Sequence, residues 1–347
     1  MLSTQEINAV SICADIVSTL SLLGSASILI AYYRYTTLRK FSFTLVAFLS
    51  MSDLFNHIAD VVGPTASELE AQRLGAPLSN TCYMQAFGNA IFELSSVLFT
   101  GAIAATLYAQ VMLGWRQARI ESNFFRILAF CYLLPLFLFF LPLTISGPSF
   151  VGPSGGSWCW IRPQFVGYIF GLFYVPVWIV MIFNGIVHYK TSRYLSKLIH
   201  GESGGGSSTT SSGVTSIVTT TTDPATTARL LLVMQRLKYY PYILLIVWLP
   251  ASISRIVEAI NGGESFFLLV LFHRIFSSSQ GLLNAIAYGL SRGVREAISQ
   301  DLYHFFPSCT CFSTNNRHVE LTLSSADIEL NATKFSSTTS TTITTTS

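Results

Sequence analysis

Ionisable side chains inside strongly apolar segments are the residues of this sequence best suited to chemistry. Those expected toward one end of the segments are His57, Asp60, Glu93, Arg255, Glu258, His273 and Arg274, of which Asp60, Glu93, Arg255, His273 and Arg274 are the predicted ligand-binding residues. Guanidinium groups bind carboxylates and phosphates through charge-assisted hydrogen bonds, so the set predicts a pocket for a small anionic ligand of unknown identity. The alternative is internal neutralisation, with Arg255 or Arg274 paired to Glu93 or Asp60. Both hypotheses hold if the ligand displaces such a pair.

A second polar set is predicted deeper in the same segments. Asp53 and Asn284 are expected at similar depth, with Tyr288 one turn beyond Asn284. A hydrogen-bonded cluster of this kind, with a sodium ion as a candidate occupant at Asp53, can be satisfied in two helix arrangements. That property is what an activation switch requires. The alternative is a static polar clamp between helices.

Trp248 and Pro250 are predicted to form a hinge in the middle of an apolar segment. Proline removes a backbone hydrogen bond and bends a helix, so the segment's end can swing when a nearby cavity is filled. The alternative is a fixed kink. Ala285 follows Asn284 where a related motif has proline, so we expect the last segment to be comparatively straight.

Membrane-spanning helices must position these residues, because the 347-residue chain is 51% hydrophobic and only 11% charged. Soluble domains carry about 25% charge. A spanning helix needs about 20 largely apolar residues. Seven segments qualify, at about Val10–Tyr33, Phe43–Val62, Tyr83–Leu113, Phe124–Ile145, Phe165–His188, Leu237–Ile260 and Ser265–Leu290. We therefore predict an all-α membrane protein, a seven-transmembrane-helix bundle with a C-terminal amphipathic surface helix.

Lysine and arginine are distributed unevenly between the two sides of this bundle. Fourteen fall on one side, whereas Arg73 and Arg162 are the two on the other. Because basic residues favour the cytosolic side, we predict a multi-pass plasma-membrane protein with its amino terminus outside and its carboxyl terminus cytosolic. The predicted regions are an extracellular terminus (1–9), the bundle (10–290) with a polar loop at about 201–227, a surface helix with a cysteine pair (291–311), and a Ser/Thr-rich tail (312–347).

Four of the six cysteines have predicted roles. Cys82 opens the third segment and Cys159 follows in the next loop on the same side, where oxidation favours a disulfide; the alternative is two free thiols. Cys309 and Cys311 follow a basic amphipathic stretch that suits the membrane surface, and juxtamembrane cysteines are candidates for S-palmitoylation. An unmodified pair is the alternative. The Ser/Thr-rich tail predicts phosphorylation by kinases and binding of arrestin-like regulators.

Five sequence stretches resemble one receptor family. They are "LRKFSFTLVAFLSMSD", "SWCWI", "LKYYPYILLIVW", "SRI" and "NAIAYGLSRGVREAI". In this order they resemble the cyclic-AMP-receptor-like family, the slime-mould chemoattractant receptors and their plant and fungal relatives. The resemblance implies a G-protein-coupled receptor that senses an extracellular ligand and activates a heterotrimeric G protein through movement of helix six. Cyclic AMP and nutrient signalling are candidate contexts.

The chain also differs from rhodopsin-like receptors, since its third segment ends in "LYAQVMLGW" without Asp-Arg-Tyr. Several other classes are disfavoured. Retinal proteins need a lysine in the last segment, and none occurs between Lys238 and Lys334. An intramembrane hydrolase would need more clustered histidine and aspartate, so no enzyme activity, cofactor or nucleic-acid partner is expected. A small-molecule transporter or channel remains the alternative.

Overall fold

The computed structural model describes residues 3–154, 157–201, 240–289 and Val294. These belong to a first compact unit, 1–294, while a second unit, 295–347, lies outside the described residues. Most of the predicted polar loop, nearly all of the surface helix, Cys309, Cys311 and the tail also lie outside them. The predictions for those regions stay predictions.

Six helices of the described part are long and apolar enough to cross a membrane. We number the helical segments one to seven in chain order, in the places predicted. Helices one to four are Thr4–Arg34, Phe41–Val61, Asn80–Val111 and Phe124–Ser146, helix five runs from Val166 to Gly201, helix six is Tyr240–Ile260, and helix seven consists of Phe267–Ser278 and Gln280–Gly289. Two short helices, Ala66–Arg73 and Gln117–Glu121, lie between them.

Helix one begins six residues earlier than predicted, at Thr4 rather than Val10. The reason is local: the Ser3 side chain accepts the Glu6 N–H, and the Glu6 carboxylate accepts the Ser3 N–H at 2.7 Å. This capping box satisfies backbone donors that would otherwise be exposed at the helix start. The predicted extracellular terminus therefore contains the first turns of a helix.

Helix three is the central element of the bundle. Every residue from Leu94 to Gly101 is buried, which in a helix means that neighbours surround it on all sides. Its helical hydrogen bonding changes at Asn89–Glu93, where one π-helical turn occurs. Helix five has a similar turn at Ile169–Tyr174. Such turns rotate the residues around them and frequently mark functional sites.

Helix seven is divided at Ser279, so neither piece reaches the length of a span. The Ser21 hydroxyl of helix one donates to the Ser278 carbonyl at 2.5 Å and accepts the Leu282 N–H at 3.2 Å. These two backbone groups would otherwise bond each other along the helix, and an inserted side chain is a known cause of a kink. The helix continues through Ala285 as predicted, but it is interrupted earlier.

A β-hairpin closes one end of the bundle. Strand β1 (Val151–Ser154) pairs antiparallel with β2 (Trp158–Ile161), and Pro153 lies opposite Cys159. Cys159 forms a disulfide with Cys82, with the two Cα atoms 5.2 Å apart. The predicted pairing is therefore confirmed, and it ties the hairpin to the start of helix three. We call this end of the bundle the disulfide end.

Candidate functional site

The hairpin places aromatic side chains inside the bundle, among the predicted ligand-binding residues. Trp158 is 3% exposed, and the guanidinium carbons of Arg255 and Arg274 each lie 4.9 Å from its ring centroid. The His273 ring meets Trp158 edge-on at 5.1 Å. Since a cation over an indole is attracted to it, Trp158 holds helices six and seven to the hairpin. We call these four residues the Trp158 cluster.

Arg274 also forms the ion pair that the internal-neutralisation hypothesis described. Its Nη2 lies 3.1 Å from the Asp60 carboxylate, and both side chains are buried. Asp60 additionally accepts from the Ser18 hydroxyl at 3.3 Å and from Gln85 Nε2 at 3.4 Å. Gln85 Oε1 in turn accepts the Cys159 N–H at 2.7 Å. Asp60 thus connects helices one, two, three and seven with the disulfide-bonded hairpin.

Arg255 has a different partner from either of those expected. It pairs with Glu258, one turn along helix six, at 2.5 Å rather than with Glu93 or Asp60. Its second nitrogen donates to the Ser154 hydroxyl of β1 at 3.1 Å. A pair three residues apart on one helix is within easy reach. Helix six is therefore bonded to the hairpin by hydrogen bonds as well as through Trp158.

Hydrogen-bonding capacity is left over around the Trp158 cluster. Around this cluster, four buried nitrogen atoms lack a hydrogen-bond partner among the described residues: Nε of Arg255, Nε of Arg274, Nδ1 of His273 and Nε1 of Trp160. Glu93 is half-buried and makes no hydrogen bond or ion pair with the described residues. Because buried polar groups are usually satisfied, leftover donors from three elements suit an acceptor-rich ligand.

An aromatic column leads from the hairpin toward the middle of the bundle. Trp160 meets Phe173 edge-on at 5.0 Å, and Phe173 lies 5.3 Å from Trp248. Phe173 belongs to the π-helical turn of helix five. Trp248, on helix six, is almost fully buried. Close-packed side chains transmit small displacements to their neighbours, so this column joins the hairpin to the predicted hinge.

The predicted switch residues meet in a second group, the Asp53 cluster, made of Asp53, Ser96, Trp248, Gln280 and Asn284. Asn284 Nδ2 donates to Asp53 at 2.9 Å, as predicted. Gln280 Nε2 donates to the Ser96 hydroxyl at 2.8 Å and to Asp53 at 3.4 Å, and Gln280 Oε1 accepts from Trp248 at 3.1 Å. Gln280 therefore links helices two, three, six and seven.

The fit of a sodium ion at Asp53 can be judged from these contacts. Amide N–H groups of Gln280 and Asn284 contact the two carboxylate oxygens, and such donors cannot ligate a cation. An amide next to a sodium ion would have to present its oxygen atom instead. Among the described residues, no three or more His, Cys, Asp or Glu side chains are grouped as metal ligands. The sodium site stays a prediction.

The remaining predicted switch residues lie around the Asp53 cluster. Pro250 is inside helix six, as expected for a hinge, and the Trp178 indole of helix five donates to Ser252 just beyond it at 2.9 Å. The Tyr288 ring is buried and meets Phe43 of helix two edge-on, with 6.5 Å between the ring centroids. The Tyr288 ring thus contacts helix two in this arrangement.

Several residues of the site were not predicted. Gln280 precedes Asn284 by four residues, so it faces the same side of the helix, a signal that was available in the sequence. Trp158 and Trp160 alternate with Cys159, as side chains on one face of a strand do. Gln85 had a weaker signal, because its role depends on its contact with the hairpin. Glu258 was predicted in this polar layer, but its pairing with Arg255 was not.

Comparison with known proteins agrees with this architecture. The family model described as slime mold cyclic AMP receptor matches residues 1–295. G-protein coupled receptor 1 of Arabidopsis thaliana is 28% identical over 292 residues, which is 84% of this chain and 80% of that protein. Cyclic AMP receptor 4 of Dictyostelium discoideum is 26% identical over 284 residues, 82% of this chain and 57% of that receptor. The chain thus spans little more than half of that receptor's length.

A solved structure shows the same fold. Squid rhodopsin aligns with a TM-score of 0.62 over 92% of this chain and 91% of its own, at 14% sequence identity. The predicted seven-helix bundle is confirmed by this likeness. Family and fold are both of the receptor type and not of an enzyme type. The match of one family model to most of the chain leads to a plain conclusion: this membrane protein belongs to the slime mold cyclic AMP receptor family.

Proposed function

We propose that the protein is a plasma-membrane receptor that binds a small anionic ligand at the Trp158 cluster and activates a heterotrimeric G protein. The observation that carries the proposal is the contact of Arg255 and Arg274 with one buried indole, while each arginine retains an Nε–H without a partner among the described residues. A carboxylate or phosphate offers these donors the charge-assisted hydrogen bonds that an indole cannot. The family membership supports the receptor class.

The proposed orientation has the disulfide end outside the cell and the opposite end in the cytosol. Two observations support it. A disulfide is favoured on the oxidising side of a membrane, and Cys82–Cys159 lies at this end. The lysine and arginine distribution favours the opposite end as cytosolic. The Trp158 cluster would then be reached from outside the cell.

In the proposed mechanism the ligand competes with the groups that now contact the arginines. It would replace Glu258 at Arg255, Asp60 at Arg274, or Trp158 at both. Any of these exchanges weakens the contacts between the hairpin and helix six. The aromatic column of Trp160, Phe173 and Trp248 transmits the resulting displacement toward the middle of the bundle. Helix six would then pivot at Pro250, where one backbone hydrogen bond is missing, and its cytosolic end would move outward.

The ligand is proposed by chemical class. Cyclic AMP carries one phosphodiester charge, and several relatives are named cyclic AMP receptors, so it is the first compound to test. Anionic nutrients are the second group. Phosphorylation, arrestin-like regulators, palmitoylation of Cys309 and Cys311, and contact of the surface helix with lipids are proposed for the cytosolic side.

The test is ligand-stimulated nucleotide exchange on a G protein, in membranes that contain the full chain. The panel would contain cyclic nucleotides, amino acids, sugars and lipids. We expect an anionic compound to stimulate exchange, and Arg274→Gln to raise the concentration required by about ten- to a hundredfold, since a hydrogen bond to a charged group is worth about 1.5–3 kcal/mol. Arg73→Gln, far along the chain in a short connecting helix, is the matched control.

Two outcomes would contradict the proposal. The first is stimulation by an uncharged compound with equal potency in wild type and Arg274→Gln, which would show that the Trp158 cluster is not an anion-binding site. Uptake of a compound across the membrane without nucleotide exchange would favour the transporter or channel alternative.

Trp158 supplies a second test of the same site. Trp158→Leu keeps an apolar side chain but removes the ring that both guanidinium groups contact, and each such contact is worth about 0.5–2 kcal/mol. We expect higher nucleotide exchange without ligand, because helix six loses part of its attachment to the hairpin. Trp115→Leu, on the exposed loop after helix three, is the control. Unchanged basal exchange in Trp158→Leu would show that the ring does not restrain helix six.

A further inference from the structure

A cavity of about 440 Å³ opens on the side of the bundle between helices two, three and four, near the disulfide end. It is separate from both polar clusters. Small-molecule sites have volumes of about 300–1,000 Å³, so the cavity is large enough for one ligand. Thirteen described residues line it, and they come from the three helices together with Val151 of the hairpin.

The shape of the cavity follows from residue size. Its floor contains Ala59 and Gly88, where helices two and three approach so closely that a Cβ atom on Gly88 would lie 2.3 Å from the Ala59 Cβ. Phenylalanine rings form the walls. Phe92 lies 5.2 Å from Phe55 and 6.1 Å from Phe87, and Phe87 lies 5.8 Å from Phe140. Small residues below and rings at the sides make a slot suited to a flat, rigid, apolar molecule.

The cavity faces the surrounding lipid. Apart from Val151 of the hairpin and Val62, which directly follows helix two, its lining belongs to three helices that are long and apolar enough to span a membrane. Met84 is 57% exposed, Val62 49% and Phe55 44%. Exposed apolar side chains on spanning helices contact lipid hydrocarbon. The occupant must therefore come from the bilayer leaflet at the disulfide end.

One residue of the lining can form a hydrogen bond through its side-chain hydroxyl. Among the thirteen described residues of the lining, Tyr83 is the one that carries a hydroxyl group. Tyr83 is the fourth residue of helix three, which begins at Asn80, so it is expected at the boundary between hydrocarbon and water. A ligand with one hydroxyl at its end and a rigid, flat apolar body matches this lining, whereas a flexible acyl chain does not require a flat slot.

We propose that this cavity is a sterol-binding site, with the sterol hydroxyl at Tyr83 and the ring system over Ala59 and Gly88. Two lining residues directly precede acidic residues of the interior: Ala59 precedes Asp60, and Phe92 precedes Glu93 within the π-helical turn. Asp60 holds Arg274. A bound sterol therefore braces the two helices that present Asp60 and Glu93.

The site can be tested without any agonist or G protein. The full chain, in nanodiscs of phosphatidylcholine, is exposed to a photoreactive cholesterol analogue, and the labelled peptides are identified by mass spectrometry. We expect labelling within 55–62, 83–92 or 139–143, and competition by excess cholesterol. Labelling spread over all helices, or labelling that cholesterol does not reduce, would overturn the proposal, since the slot would then hold acyl chains only.

Variants separate this site from general lipid contact. Met84→Trp fills the slot from helix three and Val62→Trp fills it from helix two, so one remains informative if the other fails to fold. Each should reduce labelling by about fivefold or more. Ile145→Trp is the control, because Ile145 is 69% exposed near the same end of helix four but does not line the cavity. Equal labelling in all three variants would overturn the assignment.

Tyr83→Phe tests the orientation of the sterol. Loss of one hydrogen bond should weaken cholesterol competition by about two- to tenfold, while labelling stays in the same peptides. A tenfold or smaller loss with the same peptides supports the proposed pose. Unchanged competition in Tyr83→Phe would overturn the hydroxyl contact, and with it the argument for a sterol over an acyl chain.

Discussion

The Trp158 cluster and the Asp53 cluster use buried polar side chains in opposite ways. At the Asp53 cluster the amide groups of Gln280 and Asn284 bond to Asp53, Ser96 and Trp248. At the Trp158 cluster two arginines face an aromatic ring, and each keeps a buried Nε–H without a partner among the described residues. Saturated networks fix one arrangement, while unsatisfied donors favour an additional acceptor. This difference supports the proposal that the Trp158 cluster recognises the ligand, and it leaves switching at the Asp53 cluster as a prediction.

His57 lies on helix two between Asp53 and Asp60, and it marks the border of the two regions. It is fully buried, and its ring nitrogens have no hydrogen-bond partner among the described residues. A Cβ atom on Gly281 would lie 2.9 Å from its Nε2. Glycine at 281 therefore lets helix seven approach the histidine closely. This tight packing lies on helix two between the two polar regions, which the aromatic column also connects through Trp248.

The largest effect is expected from breaking the Asp60–Arg274 pair. Arg274→Ala leaves Asp60 buried without its cation, and breaking a buried pair costs about 3–5 kcal/mol. We expect a large loss of thermal stability in the purified receptor. Asp60→Asn combined with Arg274→Ala should restore part of it, because no lone charge remains. Arg193→Ala, at an exposed position, is the control. A double variant with the full sum of both single losses would show that the pair does not act as a unit.

Loss of the disulfide should be nearly as costly, and it tests whether the hairpin maintains the Trp158 cluster. The bond closes a separation of 77 residues, and native disulfides typically contribute about 2–5 kcal/mol. Cys82→Ser and Cys159→Ser should each reduce surface expression and ligand response. The double variant should be no worse than either single one, because the same bond is lost. Clearly additive losses would indicate separate roles for the two thiols.

A smaller effect is expected when Gln280 is replaced by leucine in the Asp53 cluster. The change leaves the Trp248 indole without an acceptor, and an unsatisfied buried donor costs about 1–3 kcal/mol. Because Gln280 bonds to helices two, three and six, we expect a changed ratio of active to inactive receptor, measured as basal nucleotide exchange. Ligand affinity at the Trp158 cluster should change little. Gln117→Leu, on an exposed short helix, is the control, and a selective loss of ligand affinity would contradict the division of roles.

Much of this arrangement could be predicted from the sequence, and the exceptions share a cause. The lengths of the apolar segments predicted where the helices lie. The depths of Asp53 and Asn284 along their segments predicted the contact between these two side chains. The break at Ser279 depends on Ser21, which is 257 residues away from Ser278 in the chain. Trp158 acquires its role when the disulfide and the strand pairing turn its face into the bundle. A local sequence pattern predicts the type of a helix or strand from its periodicity. It does not predict which distant helix or strand that element contacts.

The smallest effect is expected at Tyr288, beyond the Asp53 cluster on helix seven. Tyr288→Phe keeps the ring that packs edge-on against Phe43 and removes only the hydroxyl, whose net hydrogen bond is worth about 0.5–1.5 kcal/mol. The active-to-inactive ratio should therefore change by only several-fold, with ligand affinity of the inactive state unchanged. Basal and ligand-stimulated nucleotide exchange measure the ratio, and Tyr33→Phe, 71% exposed on helix one, is the control. If Tyr288→Phe and Gln280→Leu both couple like wild type, the Asp53 cluster is a static clamp between helices, and switching must reside in the hairpin and helix six alone.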